Sequence, residues 1–316
     1  MIRTRAGLVV LTAMLGFAQA PDALAADAAS CATVRMSDPG WTDITSTNAL
    51  LGTVLDALGY TQKVDTLSVP ITYQSLKNQQ IDAFLGSWQP AQASMLDPLK
   101  AAGEVEVLNE NLSGIRFTLA VPTAVAEAGV RSVDALAAHA DKFDHKIYGI
   151  DPGAAANNNI VKMIQAGGHG LGGWELIESS EQAMLAQVDR ATRRKEWIVF
   201  LAWEPHPMNT KFPLTYLSGA EEVFGKSYGA SDVFTLARKG FAADCPNLAR
   251  LLRQTSFTVA MENEIMGAIL DQGQEPKAAA AAWLKAHPAT VTPWLAGVTK
   301  RDGGDATAAV QAALGS

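Results

Sequence analysis

The order of apolar and polar residues predicts strands and helices that alternate along most of the chain. Short apolar runs at residues 33–36, 81–88 and 197–203 fit buried strands. Apolar residues recur at helical spacing in 50–58, and Gly59 follows where a helix would end. Because strands alternate with helices, the pattern favours an α/β fold with mostly parallel sheets.

The rest of the pattern predicts two lobes. Further strands are expected at 64–69, 146–150, 175–178 and 233–237, and helices at 91–100, 158–165, 181–191, 247–256, 262–270 and 276–286. The last third is mainly helical, which suits helices that pack back onto the first part of the chain. We therefore expect a discontinuous lobe 1 (residues 26–118 and 219–316) and a lobe 2 (residues 119–218), joined by two hinge crossings with a ligand cleft between them.

The N-terminus has the layout of a secretory signal peptide. Arg3 and Arg5 precede an apolar stretch at 6–17, and an A-x-A cleavage site follows at 23–25. We expect residues 1–25 to be removed on export and the mature chain to reach the periplasm. The alternative is an N-terminal anchor helix, although the apolar stretch is short for a membrane span.

The chain has 2 cysteines, Cys31 and Cys245. In an oxidising compartment we expect them to form a disulfide, which would stabilise the fold by roughly 4 kcal/mol. A lipid-modified Cys31 is disfavoured because the preceding residues lack the leucine of a lipoprotein signal. A zinc site is disfavoured because no CxxC motif or nearby histidine pair accompanies the cysteines.

Composition and charge narrow the classes of function. The 316 residues are 48% hydrophobic and 18% charged, which is enough apolar material for a packed core. The net charge of -7 argues against nucleic acid or an anionic membrane as partner, because both would repel the protein. The sequence contains no H-E-x-x-H motif, and its 5 histidines are scattered, with neither metal-ligand spacing nor an obvious nucleophile nearby. We therefore expect no enzymatic activity, no metal and no cofactor.

Three of the 7 tryptophans are placed where predicted strands end. Trp41 lies between the first strand and the first helix, and Trp88 and Trp203 each close a strand. Because ligands of open α/β sheets bind beyond the carboxyl ends of the strands, we expect these rings to converge on one site. The alternative for each ring is packing within its own lobe.

Aromatic faces next to a carboxylate suit a quaternary ammonium group. Such a cation has no N–H to donate, and each aromatic face contributes roughly 0.5–2 kcal/mol through cation–π attraction. Asp43, two residues after Trp41, is the candidate counter-charge. The alternative role of Asp43 is to cap the first helix.

Five longer stretches carry a family resemblance. They are residues 37–45 (SDPGWTDIT), 67–73 (LSVPITY), 83–90 (AFLGSWQP), 200–209 (FLAWEPHPMN) and 261–267 (MENEIMG). In them the chain resembles the periplasmic choline-binding proteins of ABC importers, within the wider quaternary-amine (glycine betaine/choline) binding family. The resemblance covers nearly all of residues 31–315.

The resemblance implies a two-lobed periplasmic-binding-protein fold, type II-like, that closes around its ligand. It implies an aromatic box made by Trp41, Trp88 and Trp203 with Asp43 beside it. Two positions differ from the family pattern. Phe117 stands where choline binders have a tyrosine, and Ala154 stands where they have an asparagine that contacts the choline hydroxyl. Asn157, three residues further on, is the candidate substitute for that asparagine.

The leading hypothesis is a monomeric, non-enzymatic binding protein that captures choline and delivers it to an ABC permease in the inner membrane. Glycine betaine, carnitine and trimethylamine N-oxide are the alternative ligands. An exported enzyme that acts on a choline ester is the alternative from a different class.

Overall fold

The computed structural model describes residues 27–315, so the predicted signal peptide at 1–25 lies outside the described residues. The strands are β1 Thr33–Asp38, β2 Thr61–Thr66, β3 Ala83–Gln89, β4 Val105–Pro122, β5 Lys146–Tyr148, β6 Glu175–Ile177, β7 Phe200–Glu204, β8 Leu214–Tyr216 and β9 Ala230–Arg238.

Helices occur between most of the strands and make up the C-terminal part. They are α1 Thr42–Ala57, α2 Val69–Lys77, α3 Ala93–Ala101, α4 Thr123–Glu127, α5 Ala155–Gln165, α6 Glu181–Arg194, α7 Met208–Lys211, α8 Glu221–Phe224, α9 Lys226–Gly229, α10 Phe241–Asp244, α11 Pro246–Gln254, α12 Val259–Leu270, α13 Pro276–Ala286 and α14 Ala306–Leu314. Short 3₁₀ helices lie at Ala29–Ala32, Val133–Ala135, Ala137–Phe143, Gly168–Gly170 and Pro288–Val291. Within the described residues, none of the helices has the length and apolar character that a membrane span requires.

The strands form one continuous sheet in the order β2-β1-β3-β9-β4-β7-β5-β6, with β8 paired to β4 beside this path. The outer strands at each end are parallel to one another, and the strands in the middle are antiparallel. We refer to the part built on β1–β3 as lobe 1 and to the part built on β5–β7 as lobe 2. The prediction of mostly parallel sheets is right for the two ends and wrong for the middle, where the long strands β4 and β9 join the lobes.

Strand β4 carries the chain from one lobe to the other. Between Val105 and Arg116 it pairs with β9, and from Arg116 to Pro122 it pairs with β7 and β8. The apolar pattern does not predict this strand because its first half contains polar residues that are only partly buried. The chain therefore passes from lobe 1 to lobe 2 within a single hydrogen-bonded strand.

Helix α1 shows why the hydrophobic spacing predicts these elements well. Its leucines and valine between Leu50 and Leu58 are completely buried, because the helix packs against α12 and α13 as well as against the sheet. Gly59 follows the helix with a φ of +83°, a conformation that glycine adopts without steric cost. Most other predicted elements agree within a few residues, and α13 has the bounds predicted.

One local prediction is wrong. The strand expected at 64–69 ends at Thr66, and Val69 begins α2. The reason is Pro70, which stands in the first turn of α2, where the missing N–H of proline has no helical partner to lose. Helix α6 is capped by Ser180, whose Oγ accepts a hydrogen bond from the Ala183 amide at 3.2 Å.

The predicted disulfide between Cys31 and Cys245 is confirmed, with the two Cα atoms 5.8 Å apart. It ties the first 3₁₀ helix to the start of α11, which lies 214 residues further along the chain. Asp27 makes a second connection there, because its carboxylate accepts hydrogen bonds from the amides of Asn247 and Leu248. Lobe 1 is thus closed by a covalent and a polar link between its two chain segments.

Removal of this disulfide should destabilise the protein without changing its fold. In the double variant Cys31→Ser/Cys245→Ser the unfolded chain gains the freedom of a very long loop, and we expect a loss of up to about 5 kcal/mol in unfolding free energy. Urea unfolding of the two proteins measures this difference. A reducing agent should lower the stability of the wild type and leave the double variant unchanged; equal stabilities would contradict a structural role for the bridge.

Candidate functional site

One cavity between the lobes brings together the aromatic residues predicted from the sequence. Its volume is about 350 Å³ including the part open to solvent, which is in the range for a small molecule. It is lined by Trp41, Asp43, Trp88, Ala91, Gln92, Phe117, Ile150, Ala154, Ala155, Ala156 and Trp203. The walls come from both lobes, so closure of the lobes completes the cavity.

The aromatic rings reach this cavity from four separate elements. Trp41 is the N-cap residue of α1, and Trp88 lies near the end of β3. Phe117 and Trp203 are register partners on the antiparallel strands β4 and β7, so both side chains point to the same face of the sheet. Their ring centroids lie 6.2 Å apart, and those of Trp88 and Phe117 lie 5.5 Å apart. Trp88, Phe117 and Trp203 therefore form a continuous aromatic surface, and Trp41 lines the same cavity.

Asp43 contributes the carboxylate of the cavity. It is 2% exposed and lies in the first turn of α1, where Trp41 rather than Asp43 holds the N-cap position. Its Oδ2 accepts a hydrogen bond from Trp88 Nε1 at 3.2 Å, and its Oδ1 accepts none from the described residues. A buried carboxylate oxygen without a hydrogen bond is unfavourable, and a neighbouring cation would compensate for it.

The surroundings of Asp43 are strongly acidic. Burial, and next the carboxylate of Glu181, raise the pKa of Asp43 to about 8. Burial and the Asp43 carboxylate also raise the pKa of Glu262, on the adjacent helix α12, well above its usual range. The cavity therefore favours a positive charge, since a cation would relieve the repulsion among these groups.

Gln92 is the other polar side chain in the wall, and the sequence pattern does not point to it. Its Nε2 donates to the Gly86 carbonyl at 3.1 Å, and its Oε1 accepts from the Tyr73 hydroxyl at 3.0 Å. These two bonds fix the amide against lobe 1. The rest of the lining consists of rings and of the apolar side chains Ala91, Ile150, Ala154, Ala155 and Ala156.

Asn157 does not line the cavity, although the sequence suggests it as a ligand contact. Its side chain accepts a hydrogen bond from the Ile150 amide and donates to the carbonyls of Ile150 and Asp151 and to the carboxylate of Glu178. These bonds require the amide to face the loop between β5 and α5. The structure thus places Ala154 in the wall and uses Asn157 to hold the loop.

Two contacts across the cleft were not predicted. Trp41 Nε1 donates to Asp151 Oδ2 at 3.1 Å, and Thr42 donates to Glu181 through both its amide and its hydroxyl group. No periodic signal marks Asp151 or Glu181, because only closure of the lobes brings them to α1.

Among residues 27–315, no group of three or more His, Cys, Asp and Glu side chains has a geometry that could hold a metal ion.

Similar proteins are found by sequence and by fold. The profile of the family described as "Substrate binding domain of ABC-type glycine betaine transport system" (OpuAC) matches residues 32–286. The solved structure of an "ABC-transporter choline binding protein in complex with choline" is 53% identical, with a TM-score of 0.89 over 90% of this chain and 99% of that chain. This similarity confirms the two-lobed α/β fold expected from the sequence.

Two more distant proteins are also similar. Lactococcal OpuAC "in its closed-liganded conformation complexed with glycine betaine" is 26% identical, with a TM-score of 0.75 over 83% of this chain and 98% of that chain. The "Glycine betaine/carnitine transport binding protein GbuC" of Listeria monocytogenes is 34% identical over 166 residues. That match covers 52% of this chain and 53% of GbuC.

Asp43 should make the stability of the ligand-free protein decrease with pH. Its pKa of about 8 in the folded state lies above the unfolded value near 4, so the folded protein binds more protons between these pH values. The favourable contribution is complete below about pH 4 and is lost as the pH rises to about 8. In Asp43→Asn this loss is absent. As the pH rises, we expect the unfolding free energy of the variant to increase relative to that of the wild type by at most about 1.4 kcal/mol per pH unit.

Thermal unfolding of both ligand-free proteins between pH 5 and pH 8 tests this expectation. Asp141→Asn, which changes an exposed carboxylate of lobe 2, is the matched control and should follow the wild type. Parallel pH profiles for the wild type and Asp43→Asn would contradict a raised pKa of Asp43 in the folded protein.

Proposed function

Because the chain belongs to the family of substrate-binding domains of ABC-type glycine betaine transport systems, we propose that its own ligand is choline, bound in the aromatic cavity. The protein is a substrate-binding protein of an ABC transporter and therefore acts with a membrane permease. Such proteins work outside the cytoplasm. The resemblance seen in the sequence is confirmed by the family match over residues 32–286.

The arrangement of rings around Asp43 carries the proposal. Trp41, Trp88, Phe117 and Trp203 offer aromatic faces to a trimethylammonium group, each worth roughly 0.5–2 kcal/mol. Asp43 supplies the counter-charge, because its buried Oδ1 accepts no hydrogen bond from the described residues. We leave Asn157 out of the proposed contacts because its amide is occupied within the loop.

The far wall favours choline over a ligand that carries a carboxylate. Ile150, Ala154, Ala155 and Ala156 present no cationic or amide side chain to the cavity. The acidic groups Asp43 and Glu181 close by disfavour a second negative charge. The 53% identical structure contains choline, and this supports the same choice. Glycine betaine is the second candidate, because it gives the family its description.

The remaining proposals follow from the same family membership of the chain. We propose that the protein catalyses no reaction on its ligand and that removal of residues 1–25 releases it into the periplasm as a monomer. We also propose lobe 1 as residues 26–118 and 219–316, and lobe 2 as 119–218. The change of strand partners along β4 near Arg116 supports the first boundary, and the segment between β8 and β9 contains the second.

A ligand titration tests the choice of choline. Purified protein is titrated with choline, glycine betaine, carnitine and trimethylamine N-oxide, and binding is followed by tryptophan fluorescence. We expect choline to bind most tightly, because it combines a quaternary cation with an uncharged tail. Recovery of the labelled ligand unchanged would agree with a transport role. The absence of any response to millimolar choline would exclude the proposal.

Replacement of one ring should weaken binding without affecting the fold. In Trp203→Ala the cavity loses an aromatic face and its apolar cover, and we expect affinity for choline to fall by about 1–3 kcal/mol. Phe117→Tyr keeps the ring face and should have a smaller effect. Trp283→Ala is the control, because Trp283 on α13 stacks on His287, the residue that follows this helix, and is not part of the cavity lining. Unchanged affinity in a folded Trp203→Ala protein would place the ligand elsewhere.

A further inference from the structure

Glu181 makes the most deeply buried polar contact between the lobes. It is the first residue of α6 in lobe 2, and it is 0% exposed. Its Oε2 accepts a hydrogen bond from the Thr42 amide at 3.0 Å, and its Oε1 accepts one from the Thr42 hydroxyl at 2.6 Å. Thr42 belongs to lobe 1, so one carboxylate binds the opposite lobe through two hydrogen bonds.

This contact caps α1 from the other lobe. The N-cap residue Trp41 makes no side-chain hydrogen bond to the helix, and among the described residues the Thr42 amide donates to Glu181. A carboxylate at this position satisfies the amide and interacts favourably with the positive end of the helix dipole. Thr42 lies between Trp41 and Asp43, and its position determines where these two cavity residues stand.

Glu181 is also connected to a third residue of the cavity through His206. Nδ1 of His206 accepts a hydrogen bond from the Met208 amide at 2.9 Å, which assigns the ring proton to Nε2. Nε2 lies 3.3 Å from Glu181 Oε1. The His206 ring in turn packs edge-on against Trp203, with centroids 5.0 Å apart. Glu181 therefore contacts both the segment that carries Trp41 and Asp43 and the support of Trp203.

The charges near Glu181 make its position unfavourable unless a cation is close. Asp38, Asp43 and Asp151 all experience its negative charge. Among the described residues, His206 is the one basic side chain within ion-pair distance of Glu181. When the lobes separate, water can surround these carboxylates; when the lobes close, they are brought together in a region of low dielectric constant. A cation in the cavity would offset the repulsion that closure creates.

We propose that Glu181 is a positioning residue that holds lobe 2 on α1 when a quaternary cation fills the cavity. The inference rests on the proposed function. Glu181 does not line the cavity, and it acts on the ligand through Thr42 and His206. Its loss should therefore shorten the time that the lobes stay closed, and should have little effect on the first encounter with the ligand.

Stopped-flow tryptophan fluorescence with choline measures both rates. For Glu181→Ala we expect the dissociation rate to rise about 10- to 100-fold and the association rate to change by no more than about 3-fold. Glu181→Gln keeps one acceptor for Thr42 and should give an intermediate dissociation rate. Glu175→Gln, an exposed residue of lobe 2, is the matched control and should behave as the wild type.

Two further measurements separate this role from a contribution to folding. The ligand-free Glu181→Ala protein should unfold at the wild-type temperature, because the open protein does not use the contact. A double-mutant cycle combines Thr42→Val with Glu181→Gln. The increase in dissociation rate of the double variant should be smaller than the product of the increases in the two single variants. Effects that multiply independently, or a dissociation rate unchanged in Glu181→Ala, would overturn the inference. If the wild type fails to bind choline, the proposed function fails first.

Discussion

The burial of a carboxylate beneath aromatic rings is the interaction on which the structure of this site depends. Asp43 is held away from water with one oxygen bonded to Trp88 and the other without a partner among the described residues. Burial of this kind costs free energy unless a positive charge is near, and the rings around Asp43 suit a cation that cannot donate hydrogen bonds. In the proposed function, the same arrangement would provide both affinity for a quaternary ammonium group and discrimination against neutral or anionic compounds.

The topology of the sheet explains how residues so far apart in sequence reach one cavity. The parallel strands of each lobe end at the cleft, and β4 and β9 run between the lobes as antiparallel strands. Phe117 therefore lies opposite Trp203 in a strand pair, while Trp41 and Trp88 approach from the ends of β1 and β3. Lobe 1 is stiffened by the disulfide and by the bonds of Asp27, so that closure can occur as a movement of lobe 2 against a rigid support.

If Glu181 positions α1 as proposed, the contacts across the cleft link ligand binding to closure. Trp41 bonds to Asp151, and Thr42 bonds to Glu181, so two residues of lobe 2 hold the segment that carries the box. In each of these contacts a carboxylate of lobe 2 accepts a hydrogen bond from a donor of lobe 1. Closure therefore adds negative charge around Asp43. A cationic ligand makes this accumulation of charge favourable, and release of the ligand removes the reason for the lobes to stay together.

Part of the fold and part of the cavity were determined by the sequence alone. The apolar spacing predicts α1 and most other elements, because burial of one face leaves a periodic trace in the residues. The position of Trp41, Trp88 and Trp203 at strand ends predicts their convergence, since parallel strands end at a common edge, and the acidic neighbour Asp43 is visible beside Trp41.

The tertiary structure alone decided the rest. It brought Gln92 into the wall and turned Asn157 into the loop, because hydrogen bonds with Tyr73 and Ile150 compete for their amides. It also paired Glu181 with Thr42, 139 positions earlier in the chain. Contacts of this kind depend on how two separately folded lobes meet, and no local pattern of residues records that geometry.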